Sequence, residues 1–159
     1  MSASLTIQEE VARQLQEKGA TLSSAESCSG GQVASLLTSI PGASEWYAGG
    51  VVAYTKATKL RVLNIPPDEL QEGLVTERCA RAMAQGARTL FHTDYAVATT
   101  GVCGPSGSEG HSPVIAWIAV AGQNQVYTYL YQGPDRGREE NREQVATVAL
   151  QHLLELLRQ

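Results

Sequence analysis

Two short stretches of this sequence carry the residue types that could do chemistry. Glu26-Ser27-Cys28-Ser29-Gly30-Gly31 gathers hydroxyls, a thiol and small residues, and Gly49-Gly50-Val51-Val52-Ala53-Tyr54-Thr55-Lys56-Ala57-Thr58-Lys59 follows a short interval later. The first lies between a strand pattern and an amphipathic helix pattern, so it is expected to line a helix N-terminus, where free backbone N–H groups favour anions. The second ends a strand on Tyr54 and places Lys59 shortly after, offering two proton-transfer groups to the hydroxyls of the first. A hydrolase is the simplest chemistry for such a set.

Lysine can serve as a base only if perturbed, because its ordinary pKa of about 10.4 leaves almost no free amine at neutral pH. Burial and a nearby positive field both lower it, and Lys59 is expected near the start of a short helix whose dipole supplies such a field. Helical spacing turns both Lys56 and Lys59 roughly inward with Leu60, Val62 and Leu63, and does not choose between them. A serine nucleophile needs an adjacent base, and no histidine is suitably placed. Either Ser29, at the helix start, or Ser44, in the Pro41-Gly42-Ala43-Ser44 turn, could use lysine; either could equally be a plain cap or turn residue. Thr99-Thr100-Gly101-Val102-Cys103-Gly104-Pro105 has the form of an oxyanion or phosphate loop, since small residues let N–H groups approach a ligand. Arg138 and Arg142 share a helix face and could clamp a phosphate, against the bland reading of a solvated helix end. Cys28, Cys79 and Cys103 have no metal-ligand spacing with His92 or His111, and no metal is expected.

The elements that must position these residues are legible from periodicity. Thr6-Ile7-Gln8-Glu9 reads as a capping box opening a helix that Gly19 stops. Thr21–Ala25 reads as a strand, Gly30–Thr38 as a helix, Trp46–Tyr54 as a strand with a bulge or a close backbone approach at Gly49-Gly50, and Thr55–Leu63 as a short helix. Thr76–Phe91 has the clearest helical stripe. Tyr95–Thr100 and Val114–Ala121 read as strands, Val126–Tyr131 as a hairpin partner with Tyr127, Tyr129 and Tyr131 on one face, and a last helix ends near Leu157. Strands alternating with helices and closing on a hairpin predict an α/β fold: one domain over residues 1–159, a three-layer α/β/α sandwich with a mixed sheet.

At 159 residues and 43% hydrophobic the chain can bury a core unaided. A net charge of −4 with no basic block argues against nucleic acid and against a polybasic membrane patch, and no apolar run is long enough to span a bilayer. Three cysteines, an odd number, predict a reducing compartment, the cytoplasm by default.

With these residues in view, the chain resembles the CinA C-terminal domain family. The likeness rests on Ala25-Glu26-Ser27-Cys28-Ser29-Gly30-Gly31, Pro41-Gly42-Ala43-Ser44, Gly49-Gly50-Val51-Val52-Ala53-Tyr54, Lys59 and Thr100-Gly101-Val102-Cys103-Gly104-Pro105, over about residues 5 to 157. It implies a usually dimeric domain without cofactor, in pyridine-nucleotide salvage, that deamidates nicotinamide mononucleotide to nicotinic acid mononucleotide and ammonia. It also implies a catalytic Ser44, Tyr54 and Lys59, with Ser29, Gly30, Gly31, Thr100, Gly101 and Gly104 at the substrate and oxyanion side. Arg138 and Arg142 would be candidates for the substrate phosphate. The chain departs from the family at Ser29, where threonine is usual, at Lys56, where asparagine is usual, and over Gly107 to Ile115, where a glycine-rich run ending in Lys-Pro-Val-Gly is usual. Those departures keep a second reading open: a catalytically weak module that binds a pyridine nucleotide or a protein partner and acts in competence or DNA-damage responses.

Overall fold

The computed structural model describes residues 4–159. Its elements in chain order are α1 (Ile7–Lys18), β1 (Leu22–Glu26), α2 (Gln32–Thr38), β2 (Tyr47–Val52), α3 (Lys56–Val62), α4 (Glu77–Phe91), β3 (Tyr95–Val102), β4 (Ile115–Ala121), β5 (Val126–Gln132) and α5 (Arg138–Leu157). The Thr6 hydroxyl accepts the Glu9 N–H at 3.2 Å, and Gly19, left-handed at φ 61°, closes α1. Two short 3-10 turns, Ala43–Glu45 and Pro67–Leu70, add to the expected elements; neither is long enough to show a period in the sequence.

The five strands form one sheet in the order β2-β1-β3-β4-β5. β1 runs parallel to both neighbours, whereas β4 is antiparallel to β3 and β5. Helices cover both faces, as the sequence pattern predicts. Alternation along the strands sorts the side chains: Leu22, Val97, Ile118 and Val120 pack with α1, α2 and α5 through residues such as Leu15, Leu37 and Leu153. On the other face Ala25, Ala96, Ala98, Ala119 and Ala121 meet Ala80, Met83, Ala84 and Ala87 of α4. Small residues on both sides let this helix lie directly against the sheet.

The bulge falls just before the Gly49-Gly50 pair, and the close approach is at Gly50. Register slips between Leu22 and Ser23, leaving Ala48 unpaired, and a Cβ on Gly50 would strike the hydroxyls of Ser24 and Tyr47, which bond to each other at 2.6 Å. At the far edge, Tyr129 and Tyr131 pack into the core beneath α5, where the Tyr129 ring stacks on His152 with centroids 3.7 Å apart. The tyrosine face is therefore largely a helix-covered sheet face.

Candidate active site

Strand order fixes where a site can form. After β1 the chain turns to β2 on one side, and after β3 to β4 on the other, so a crevice opens at the carboxyl ends of β1 and β3. Ser27 and Cys28 leave β1 there, and the turn after β1 is tied to β3 by the Ser27 N–H on the Thr99 carbonyl at 3.0 Å. A cleft of about 230 Å³ at this point is lined by Ser27, Cys28, Tyr54, Leu74, Thr100, Gly101, Gly104, Ser108, Glu109 and Arg138, among others. A larger groove of about 320 Å³ runs between Val62–Pro66 and α4, but no titratable side chain lines it.

Lys59 is fully buried and meets the cleft through its hydrogen bond to Ser27, while Lys56 is exposed, which decides the question that periodicity leaves open. The Lys59 Nζ donates to the Ser27 Oγ at 2.9 Å, the Ala53 carbonyl at 2.7 Å and the Tyr54 carbonyl at 3.0 Å. No carboxylate is bonded to it, and burial pulls its pKa down, partly countered by the potentials of Cys79, Cys28 and Glu109. The helix field expected from the sequence is not the cause. Lys59 falls in the last turn of α3, where the dipole favours a cation. The three acceptors suit both protonation states. A neutral amine keeps its two N–H bonds to the carbonyls and turns its lone pair to the Ser27 hydroxyl, so proton exchange needs no rearrangement.

The structure does not bring Ser44 to this lysine. Ser44 is exposed in the 3-10 turn that precedes β2, at the amino end of a strand whose carboxyl end meets the cleft. Six β2 residues intervene, placing it roughly 20 Å away. The expected Ser44–Lys59 partnership is corrected on this ground: the hydroxyl at Lys59 is that of Ser27. Position in the chain could have found it, because Ser27 directly follows a parallel strand, where sites form, while Ser44 directly precedes one.

Tyr54 reaches Lys59 only through its carbonyl; its exposed phenol accepts a hydrogen bond from Arg138 at 3.0 Å. The Ser29 hydroxyl is buried between Glu26 Oε1 at 2.6 Å and Thr99 Oγ1 at 2.7 Å, away from the lysine. The Thr100 side chain lines the cleft, but its hydroxyl donates to the Leu74 carbonyl at 2.7 Å. Gly101 and Gly104 line the cleft, and Gly30 and Gly31, at φ 57° and 101°, shape the turn into α2. Of the two arginines, Arg138 faces the cleft, bonded to the Gly104 carbonyl, whereas Arg142 bonds the Gly30 carbonyl at 3.3 Å outside it.

The start of α2 holds an anion of the protein's own. The buried Glu26 carboxylate accepts the Val33 N–H at 2.8 Å, the Ala34 N–H at 3.1 Å and the Ser29 hydroxyl, so the expected anion site for a substrate is filled. Glu26→Gln, which trades one of these acceptor oxygens for a donor, is expected to cost about 1–3 kcal/mol, read as a lower midpoint in urea.

Two thiols, Cys28 and Cys103, also line the cleft. Cys28, hydrogen-bonded to Cys103 and buried, has its pKa pushed up. The same hydrogen bond, helped by Arg138 and Arg142, holds Cys103 down. Burial raises Cys79 to about 11. No histidine accompanies Cys28 or Cys103 in the cleft lining.

A mixed five-stranded α/β/α domain with a cleft at the carboxyl ends of its parallel strands, where a lining serine bonds a buried lysine, is the class this geometry defines. A model of the CinA C-terminal domain matches residues 4–157, and the chain belongs to that family. A CinA-like protein of Desulforapulum autotrophicum is 40% identical over 148 residues, covering 92% of this chain and 35% of that protein. A Shewanella oneidensis relative named nicotinamide-nucleotide amidohydrolase PncC is 39% identical over 146 residues, covering 91% of this chain and 34% of its own length. The chain thus spans about a third of the length of the curated relatives it matches. Among solved structures, a competence-damaged protein (CinA) superfamily member from Klebsiella pneumoniae superposes with a TM-score of 0.91 at 31% identity, covering 96% of each chain. The competence/damage inducible protein CihA of Agrobacterium tumefaciens gives 0.87 at 34% identity, covering 99% of this chain and 100% of its own. No helix among the described residues is long and apolar enough to cross a membrane.

Proposed function

We propose that the chain is an amidohydrolase that converts nicotinamide mononucleotide to nicotinic acid mononucleotide and ammonia, with Ser27 as nucleophile and Lys59 as general base and acid. The observation that carries this reading is the buried Lys59 amine, without a carboxylate partner, on the hydroxyl of Ser27, which lines the cleft. The name of the Shewanella oneidensis relative supports the substrate.

In this mechanism the Ser27 Oγ attacks the carboxamide carbon while its proton passes to the Lys59 amine. Collapse of the tetrahedral adduct breaks the C–N bond, and Lys59 returns the proton to the departing ammonia. Water, deprotonated by the same amine, then attacks the acyl-serine and releases the acid, so one amide and one water give one acid and one ammonia. The oxyanion donors assigned here are the Cys28 and Ser29 N–H groups, which bond no protein acceptor among the described residues. Arg138, at the cleft mouth, supplies the cation for the substrate phosphate, and Tyr54, bonded to it, orients that guanidinium. The test is direct: purified protein without added metal should release ammonia and nicotinic acid mononucleotide in equal amounts. Binding of the nucleotide without release of either would favour an accessory or sensor module instead.

A further inference from the structure

The loop over residues 106 to 112 closes one side of the cleft, and a single side chain ties it to the opposite wall. Ser108 and His111 pair as a two-residue hairpin, the Ser108 N–H on the His111 carbonyl at 3.0 Å and the His111 N–H on the Ser108 carbonyl at 2.8 Å. The two residues at its tip, Glu109 and Gly110, take φ of 53° and 80°, the arrangement of a type I′ turn. Glycine or asparagine suits the first of these positions, and a glutamate there sits in a region L-residues disfavour.

What that glutamate does is visible in its contacts. Oε1 accepts the N–H groups of Leu74 and Val75, and Oε2 accepts that of Leu74, all at 3.0 Å. Gly73 leaves space for the carboxylate that a Cβ there would take. Among the described residues no backbone hydrogen bond joins 106–112 to 71–76, so this carboxylate is the hydrogen-bonded tie between the two segments. Leu74 is held from its other end as well, its carbonyl accepting the Thr100 hydroxyl. Glu109, Leu74, Val75 and Thr100 all line the cleft that holds Ser27.

We propose that Glu109 is a positioning residue: it latches the 106–112 loop to the Leu74–Val75 wall and so sets the shape of the cleft around the bound substrate. The inference rests on the proposed amidohydrolase reading for its substrate, but the latch itself can be read without one. The informative variant is Glu109→Asn. Asparagine followed by glycine is the favoured pair for a type I′ turn, so the hairpin is kept, while the side chain, one methylene shorter, no longer reaches the wall. Glu109→Gln keeps the length and one acceptor oxygen.

Two readouts decide the matter. In Glu109→Asn the amides of Leu74 and Val75 should exchange with solvent about tenfold faster or more, with the thermal midpoint at or above that of the parent. The KM for nicotinamide mononucleotide should rise about tenfold while kcat stays within about threefold, and Glu109→Gln should recover at least half of the KM effect on a logarithmic scale. Unchanged exchange at both amides would overturn the latch. Faster exchange with KM within about twofold of the parent would overturn the positioning role. A parent that leaves the nucleotide uncleaved would sink the proposed function instead, and the latch would then stand or fall on the exchange rates alone.

Discussion

Ser27→Ala is expected to lower turnover of nicotinamide mononucleotide by about 10⁴-fold or more, with nucleotide binding retained, whereas Ser44→Ala stays within about threefold of the parent. The contrast follows from where the two hydroxyls sit. Ser27 is the hydroxyl on the Lys59 amine, at the carboxyl end of a central parallel strand. Ser44 is exposed beyond the amino end of β2 and touches nothing in the cleft. Because each change removes one exposed or cleft-facing oxygen, neither should unfold the chain. Ser29→Ala separates a third possibility. Its hydroxyl bridges Glu26 and Thr99 in the core, so it should lower stability by about 1–2 kcal/mol and affect rate only through that loss. Steady-state assays of the three variants beside a denaturation midpoint would settle the assignment. An active Ser27→Ala with an inactive Ser44→Ala would mean that the functional nucleophile is not the one the fold places on the lysine.

The architecture was largely legible because it is written in periods. The α4 stripe, the alternation in β5 and the N-cap at Thr6 each depend on a few neighbouring residues, and the structure reproduces them within a residue or two. The site depends on a different kind of information. Lys59 and Lys56 both point inward on a helical wheel, and only the tertiary contacts of Lys59 with Ser27, Ala53 and Tyr54 make one of them buried while the other is exposed. Ser27 lies in the first of the two motifs, yet the sequence offers only Ser29 and Ser44 as nucleophiles, Ser29 because a helix N-terminus is expected to face a ligand. Burial of Glu26, whose carboxylate takes that helix start, reverses the roles of the two serines. The Glu109 latch was equally invisible, since it joins residues 34 and 35 positions apart through one side chain. Ser44 was favoured through resemblance rather than geometry, and sheet polarity is what separates it from the base.

Lys59→Met should lower turnover by about 10³-fold or more, somewhat less than Ser27→Ala, but its second consequence is the more diagnostic one. Burial lowers the folded-state pKa of Lys59 below its ordinary value of 10.5. Below the lowered pKa both states carry the proton, and the folded state bears the full cost of a buried ammonium. Between the lowered pKa and 10.5 the unfolded chain still binds a proton that the folded chain has released, so stability must rise with pH across that window. Above 10.5 both forms are neutral and the cost is gone. The parent-minus-variant difference in unfolding free energy should therefore climb with pH through this window and flatten above it, because methionine fills similar space without titrating. The acid limb of kcat/KM should turn over at the same lowered pKa, since the free amine that accepts the Ser27 proton is the species that accumulates there. Agreement between the two titrations would identify the buried lysine as the base. A rate profile that turns over elsewhere, with the stability difference still tracking Lys59, would leave this lysine holding Ser27, Ala53 and Tyr54 in place and would require another group to move the proton.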